Sequence, residues 1–261
     1  MALSNSSSIQ SQSNKSPLAK LIAVETKLFL REPAAVIWGL VFPALLFFLL
    51  GAFFPGFQDP LEDSPGVRLI DLYAPIVLGL CLATLAFATL PGILATYRQF
   101  GVLRRMATTP VHPVKLVLAQ LAVQLMVAIL AASLAIAVGV LAFGMPFPGN
   151  PLGFVLAFVL AAASVFAVGL VIGAVAPTVS AGQGIGMAVY FPMLFLAGVY
   201  FPRGAMSGAL LTISDLSPTG AGVQALQDTW GGSMPSPSNL AVMAAFTIGG
   251  SLLAAKLFRW E

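Results

Sequence analysis

The sequence predicts an all-α integral membrane protein: six transmembrane helices, an N-terminal amphipathic helix ahead of the first, and a re-entrant element before the last. Three observations predict it. Of 261 residues, 59% are hydrophobic and 8% are charged, against roughly 25% charged in an ordinary soluble domain, so no water-facing surface can be built. A charge at the centre of a membrane helix costs about 2.5 to 3.5 kcal/mol on insertion scales, and a bilayer solvent therefore selects for this scarcity. Between Lys115 and Arg203 no residue is charged at all, a length that must hold several spans. Finally, the basic residues gather on alternate connections, as cytoplasmic loops require.

Residues 1–16, rich in Ser, Asn and Gln with no apolar run, read as a disordered tail and not as a cleaved signal peptide. Residues 17–33 form the amphipathic helix. Leu18, Leu21, Ile22, Leu28 and Phe29 recur at helical spacing, with Lys20, Lys27 and Arg31 opposite, which suits a helix lying along the membrane surface. Glu25 falls on the apolar side; either that side touches protein or the carboxylate snorkels to the interface, and both readings stand at this point. Arg31, Glu32 and Pro33 close the helix.

Residues 34–261 hold the spans, expected at about 36–54, 72–97, 114–143, 152–175, 184–200 and 240–257. Pro75 and Pro91 are candidate kinks in the second, and the prolines of 144–151 divide the third from the fourth. The apolar run 205–216 is too short to cross a bilayer of about 30 Å and reads as the re-entrant or interfacial element. With this layout ten of the twelve basic residues lie on the cytoplasmic side; Arg68 and Arg203 are the exceptions. Basic residues near both ends of the chain place both termini in the cytoplasm and require an even number of crossings.

Composition also excludes functions. Cys81 is the only cysteine and His112 the only histidine, so no disulfide, thiolate cluster or His-based metal site is expected. No charged side chain lies inside a predicted span, which argues against a carrier driven by an ion gradient, although a broken helix near Pro192 could bind a cation through carbonyls. Serine-histidine and paired-carboxylate hydrolysis fail for want of residues. No phosphate-binding Gly-Lys-Ser or Gly-Lys-Thr loop is present, so the chain does not hydrolyse ATP alone and is not expected to be an enzyme. No cofactor, metal or nucleic acid is expected on it.

The connection between the second and third crossings is the most informative segment. It carries Gly101, Val102, Leu103, Arg104, Arg105, Met106, Thr109 and Pro110, followed by Val111, and permits a short helix over 102–107 that stops before Pro110. Charge alone reads equally as a generic basic loop or one drawn to anionic lipid. The order of residues closely resembles the cytoplasmic loop of the type-2 permeases of ATP-binding-cassette (ABC) transporters: a Gly, then Leu, one or two Arg, and a closing Thr-Pro-Val. That family commonly has an acidic residue before the glycine, where this chain has Phe100. Arg31-Glu32-Pro33 resembles the family's Arg-Asp-Pro junction, Gly198-Val199-Tyr200-Phe201-Pro202 its Gly-x-x-Phe-Pro end of the fifth span, and Ser217-Pro218 the dipeptide that follows its re-entrant helices.

The resemblance implies a subunit of a bacterial drug or antibiotic exporter in the cytoplasmic membrane, pairing with a second membrane subunit as a homodimer and with two ATPase subunits that hold the ATP and Mg. The loop from Gly101 to Pro110 would seat in the ATPase, with Arg104 and Arg105 as docking charges and Leu103 and Met106 as apolar contacts. The helix bearing Lys20, Glu25, Lys27, Arg31 and Glu32 would be the connecting helix. Phe47, Phe48, Thr84, Phe87, Tyr190 and Phe195 would line a pathway between two copies of the first, second and fifth spans. An apolar lining suits an amphipathic or hydrophobic substrate such as a drug, antibiotic or lipid-like molecule, whereas a small anion would demand basic groups that are missing. The competing readings are a membrane anchor that moves nothing and an independent channel or carrier.

Overall fold

The computed structural model describes residues 16–61, 64–107, 112, 114–201 and 203–258, and for 64–66, 103, 104 and 107 the backbone alone. The expected tail therefore lies outside the described residues except for Ser16. Its hydroxyl accepts from the Ala19 amide at 3.3 Å and caps α1 (Pro17–Arg31). Proline at the first position of α1 supplies a fixed φ where no amide partner is needed.

Six helices are long and apolar enough to cross a membrane: α2 (Pro33–Phe53), α3 (Leu69–Gln99), α5 (Val114–Phe143), α6 (Pro151–Val175), α7 (Val179–Leu196) and α10 (Pro237–Leu257). Between them lie α4 (Val102–Ala107), α8 (Gly208–Asp215) and α9 (Pro218–Trp230). A short antiparallel pair, β1 (Pro60–Leu61) and β2 (Ser64–Arg68), precedes α3. The fold is thus the all-α six-span membrane architecture that the sequence predicts.

Several boundaries differ from the sequence expectation, each for a local reason. The fifth span begins at Val179 and not at 184, because the Thr178 hydroxyl accepts from the Ala181 amide and starts the helix early. It ends at Leu196, and the chain turns at Gly198 with φ +88°, a conformation that favours glycine. The predicted re-entrant stretch 205–216 forms only the eight residues of α8, and a second short helix, α9, follows. Ser217 and Pro218 stand between the two short helices and not after them: the Ser217 hydroxyl accepts from the Gly220 amide and caps α9.

The second span, α3, is the centre of the bundle and is buried over most of its length, from Ala74 to Phe87 and again from Leu90 to Gly92. Its neighbours close on it through glycine. A Cβ placed on Gly169 of α6 would lie 2.3 Å from the Ala86 carbonyl oxygen, and one on Gly186 of α7 would lie 2.1 Å from that of Phe87. Only a hydrogen allows such backbone contact, the close approach that small-residue faces give membrane helices.

Helix α3 continues through both Pro75 and Pro91. Ahead of Pro91 it widens into a π-type turn over Thr84–Thr89, where the Leu90 amide donates to the Leu85 carbonyl. Helix α2 does the same over Ile37–Val41, two residues before Pro43, with the Phe42 amide donating to Ile37. Proline lacks the N–H that would reach the carbonyl four residues earlier, so a wider turn resolves the mismatch.

The two ends of the bundle differ. At one, Arg98 donates to the carbonyls of Ala174 (2.6 Å) and Ala176 (2.8 Å) at the end of α6 and lies over the Phe258 ring. At the other, Arg68 pairs with Asp71 (2.9 Å) and donates to the Phe143 carbonyl, while buried Arg203 pairs with Asp215 and bonds Ser214. The two basic residues that fall on the sparse side of the charge count are therefore both neutralised by an acid.

Candidate functional site

The connection after α3 is built by its glycine. Phe100 and Gly101 close the last turn of α3 with amide bonds to Thr96 (3.1 Å) and Arg98 (3.0 Å), and Gly101, at φ +65°, redirects the chain into α4. Gly101 is the position at which a side chain would be strained, which explains glycine at the head of the loop motif. Val102 and Met106 are half-buried against the core, whereas Arg105 is exposed and its guanidinium donates to the Phe100 carbonyl at 2.7 Å. The side chains of Leu103 and Arg104, and all of Thr109 and Pro110, lie outside the described residues.

The stems of this connection are gripped from α1. The Tyr97 hydroxyl, at the last turn of α3, donates to the Glu25 carboxylate at 2.5 Å, and its oxygen also lies 3.3 Å from the Gln120 amide oxygen at the start of α5. All three side chains are buried, Glu25 to 7% exposure. This decides the question left open by the sequence: Glu25 meets protein, on the apolar side of α1. Burial pushes its carboxyl above the ordinary 4.5, and the Tyr97 hydrogen bond opposes that rise. Lys20, Lys27, Arg31 and Glu32 do not join this contact, and all four are exposed. Gln99 extends the grip on the other side, where its amide oxygen accepts from the Val179 amide at 3.0 Å and caps α7.

A cleft of about 670 Å³ opens between α2, α3 and α7. From α3 it is lined by Thr84, Ala88, Thr89, Gly92, Ile93 and Thr96; α7 adds Val179, Gln183, Met187 and Tyr190; and the other wall is Glu32 with Ala34, Ala35, Trp38 and Phe42 of α2. Small residues at 88 and 92 hold the space open. The Thr84 and Tyr190 hydroxyls meet at 2.9 Å midway along α3 and join the second and fifth spans. Beyond that contact a second cavity of about 330 Å³ is lined by Leu80, Ile76 and Tyr73 of α3 together with Leu46, Val199 and Tyr200, among others.

Of the six residues expected along a pathway, Thr84 and Tyr190 line the cleft. Phe47 and Phe87 do not: at 1% and 0% exposure they fill the interior of the single chain, Phe47 edge-on to Phe143. In the single chain both are core residues, as burial of a large apolar ring at an inward position of α2 or α3 favours. Phe48 is exposed but tilts against Phe143 on the α5 side, and Phe195 is exposed outside the cleft lining. Sequence reasoning missed Trp38, Phe42, Gln183, Tyr97 and Gln120. A usable signal was the polar and small stripe Thr84, Ala88, Gly92, Thr96, four residues apart on an otherwise apolar helix.

Among curated proteins none matches the chain. A family model described as ABC-2 type transporter matches residues 18–229, from the first turn of α1 through α9. The membrane component of such a transporter is distinct from its ATPase, with which it associates. With six apolar spanning helices and a family match over most of its length, the chain belongs to the ABC-2 type transporter family and is a multi-pass membrane permease of an ABC transporter.

Proposed function

We propose that this permease is the membrane half of an ATP-driven exporter in the bacterial cytoplasmic membrane, moving amphipathic or hydrophobic molecules of the drug, antibiotic or lipid-like kind. Two copies pair, two ATPase subunits bind ATP and Mg, and both termini lie in the cytoplasm. The connection 98–113 seats in the ATPase, and the cleft between α2, α3 and α7 receives the substrate. The observation that carries this reading is that one helix serves both places: α3 bears the Thr84–Thr96 lining of the cleft and, one residue later, Tyr97, which is tied to Glu25 and lies beside Gln120.

A push on the loop is thereby applied to α1, α3 and α5 together. ATP binding biases the membrane part only by favouring one arrangement of these helices over another. In the favoured cycle the substrate passes from the cleft, past the Thr84–Tyr190 contact, into the second cavity, which continues along the same helices. Breaking one hydrogen bond between hydroxyls costs about 0.5 to 1.5 kcal/mol, small beside the free energy of ATP binding, so the contact can open in each turnover.

The test is retention of the ATPase subunit. Leu103→Glu together with Arg104→Glu is expected to strip the ATPase from the permease in detergent, while the double variant still elutes as a folded species. Undiminished retention would defeat the docking assignment.

A further inference from the structure

We infer that the cleft selects cationic amphiphiles, and that Glu32 at its edge supplies the selection. This deepens the export reading and rests on it, since it names the class of molecule that the same cleft takes. Among the described residues that line the cleft, Glu32 is the one that carries a charge. It lies where α1 ends and α2 begins, so the carbonyl end of one helix and the amide end of the other offset one another, and the carboxylate itself supplies the negative charge. The opposing positive end, the start of α7, is already satisfied: Gln99 accepts from the Val179 amide and Thr178 from that of Ala181. Arg98, the nearest strong cation along α3, is committed to the carbonyls of α6. The wall beside Glu32 is aromatic, with Trp38 57% exposed and Phe42 tilted against it at 4.9 Å between ring centroids. An exposed indole and a carboxylate lining the same cleft offer a quaternary or delocalised cation two points of attraction.

The remainder of the lining fits the rest of such a molecule. Ile93, Ala88 and Met187 offer apolar surface, and Thr84, Thr89, Gln183 and Tyr190 offer hydrogen bonds at intervals along it. A cleft of about 670 Å³ is within the roughly 300 to 1,000 Å³ of drug-sized sites. An anion of the same size would meet the carboxylate with no basic side chain among the described lining residues in compensation, and a neutral molecule would gain nothing from its charge.

A rhodamine methyl ester, which is a cation, and the matching free acid, a zwitterion, separate the charge from the shape. Binding to the full-length permease in lipid nanodiscs is read by fluorescence anisotropy, with empty discs subtracted. The ester is expected to bind about fivefold more tightly than the acid, the size of one Coulomb contact with a water-exposed carboxylate. Glu32→Gln is expected to reduce that ratio to about twofold, Glu32→Asp to preserve it, and Trp38→Ala to weaken the ester about threefold. Equal binding of ester and acid, a ratio unchanged by Glu32→Gln, or no binding of either dye would overturn the proposal. Ala88→Leu, which fills the cleft, keeps this apart from the reading beneath it. Dye binding that Ala88→Leu abolishes but Glu32→Gln leaves alone sinks the charge selection and spares the cleft. Binding indifferent to both variants places the dye elsewhere and sinks both.

Discussion

The two sides of α3 use small residues to opposite ends. Where α6 and α7 touch α3, the glycines belong to the neighbours: Gly169 and Gly186 bring their backbones onto the Ala86 and Phe87 carbonyls, and no space remains at those two contacts. Along the cleft, the small residues Ala88 and Gly92 belong to α3 itself, and a Cβ on Gly92 would meet only the Gln183 side chain, at 3.3 Å, so a cleft remains. A missing side chain closes a gap when a neighbouring helix moves into it and opens one when none does. Composition cannot tell these apart, because the difference lies in what stands across from the residue.

That contrast can be broken first at Gly186. Gly186→Leu forces a branched side chain against the Phe87 carbonyl, a backbone atom with little freedom to yield. Overpacking of this kind costs about 1 to 3 kcal/mol or more, and the variant is expected to lose its single symmetric peak on size exclusion in detergent. Ala88→Leu, a similar enlargement on the open side, is expected to keep that peak while ATP-driven substrate uptake into inverted vesicles falls at least tenfold. Equal damage to folding by both would show that the cleft is not open space.

A smaller effect is expected at the polar grip. Because burial raises the Glu25 carboxyl above its ordinary value, the folded protein binds that proton more readily than the unfolded chain does. Stability from this group is therefore fully present below 4.5 and is lost as pH rises through the raised folded value. Thermal melting between about pH 4 and about pH 8 is expected to show this slope, with Glu25→Gln flattening it and Tyr97→Phe steepening it. At neutral pH Tyr97→Phe is expected to cost about 1.5 to 3 kcal/mol, the worth of a hydrogen bond to a charged group.

The smallest effect sharpens the comparison along α5. Gln120 lies beside Tyr97, but Gln124, one turn further, is fully buried and neither its amide nitrogen nor its oxygen has a partner among the described residues. Gln124→Leu is expected to raise stability by about 1 kcal/mol, read as a higher melting temperature, because it removes a desolvated amide that gains nothing in return.

Much of the architecture was legible in the sequence because a bilayer enforces it residue by residue. The charge-free stretch from 116 to 202, the polar breaks and the basic connections give six spans without reference to contacts. The loop motif was legible through Gly101, whose backbone angle only a glycine holds at ease. Helix α9 was not, since Gln224, Gln227 and Asp228 hide its apolar face from a count of consecutive apolar residues. The cleft was half legible. Thr84 and Tyr190 stand out as polar groups in apolar spans, but Phe47 and Phe87 look the same in sequence whether they face a pathway or the interior, and that depends on helices far away in the chain.

The widened turn ahead of Pro91 has a chemical result. Residues five apart, such as Thr84 and Thr89, point about 140° away from each other round a regular α-helix. Here both border the cleft, and the Thr89 hydroxyl donates to the Thr84 carbonyl at 3.4 Å. A ring that cannot supply one amide proton thus changes which alcohol groups a passenger molecule can touch, seven residues upstream of itself.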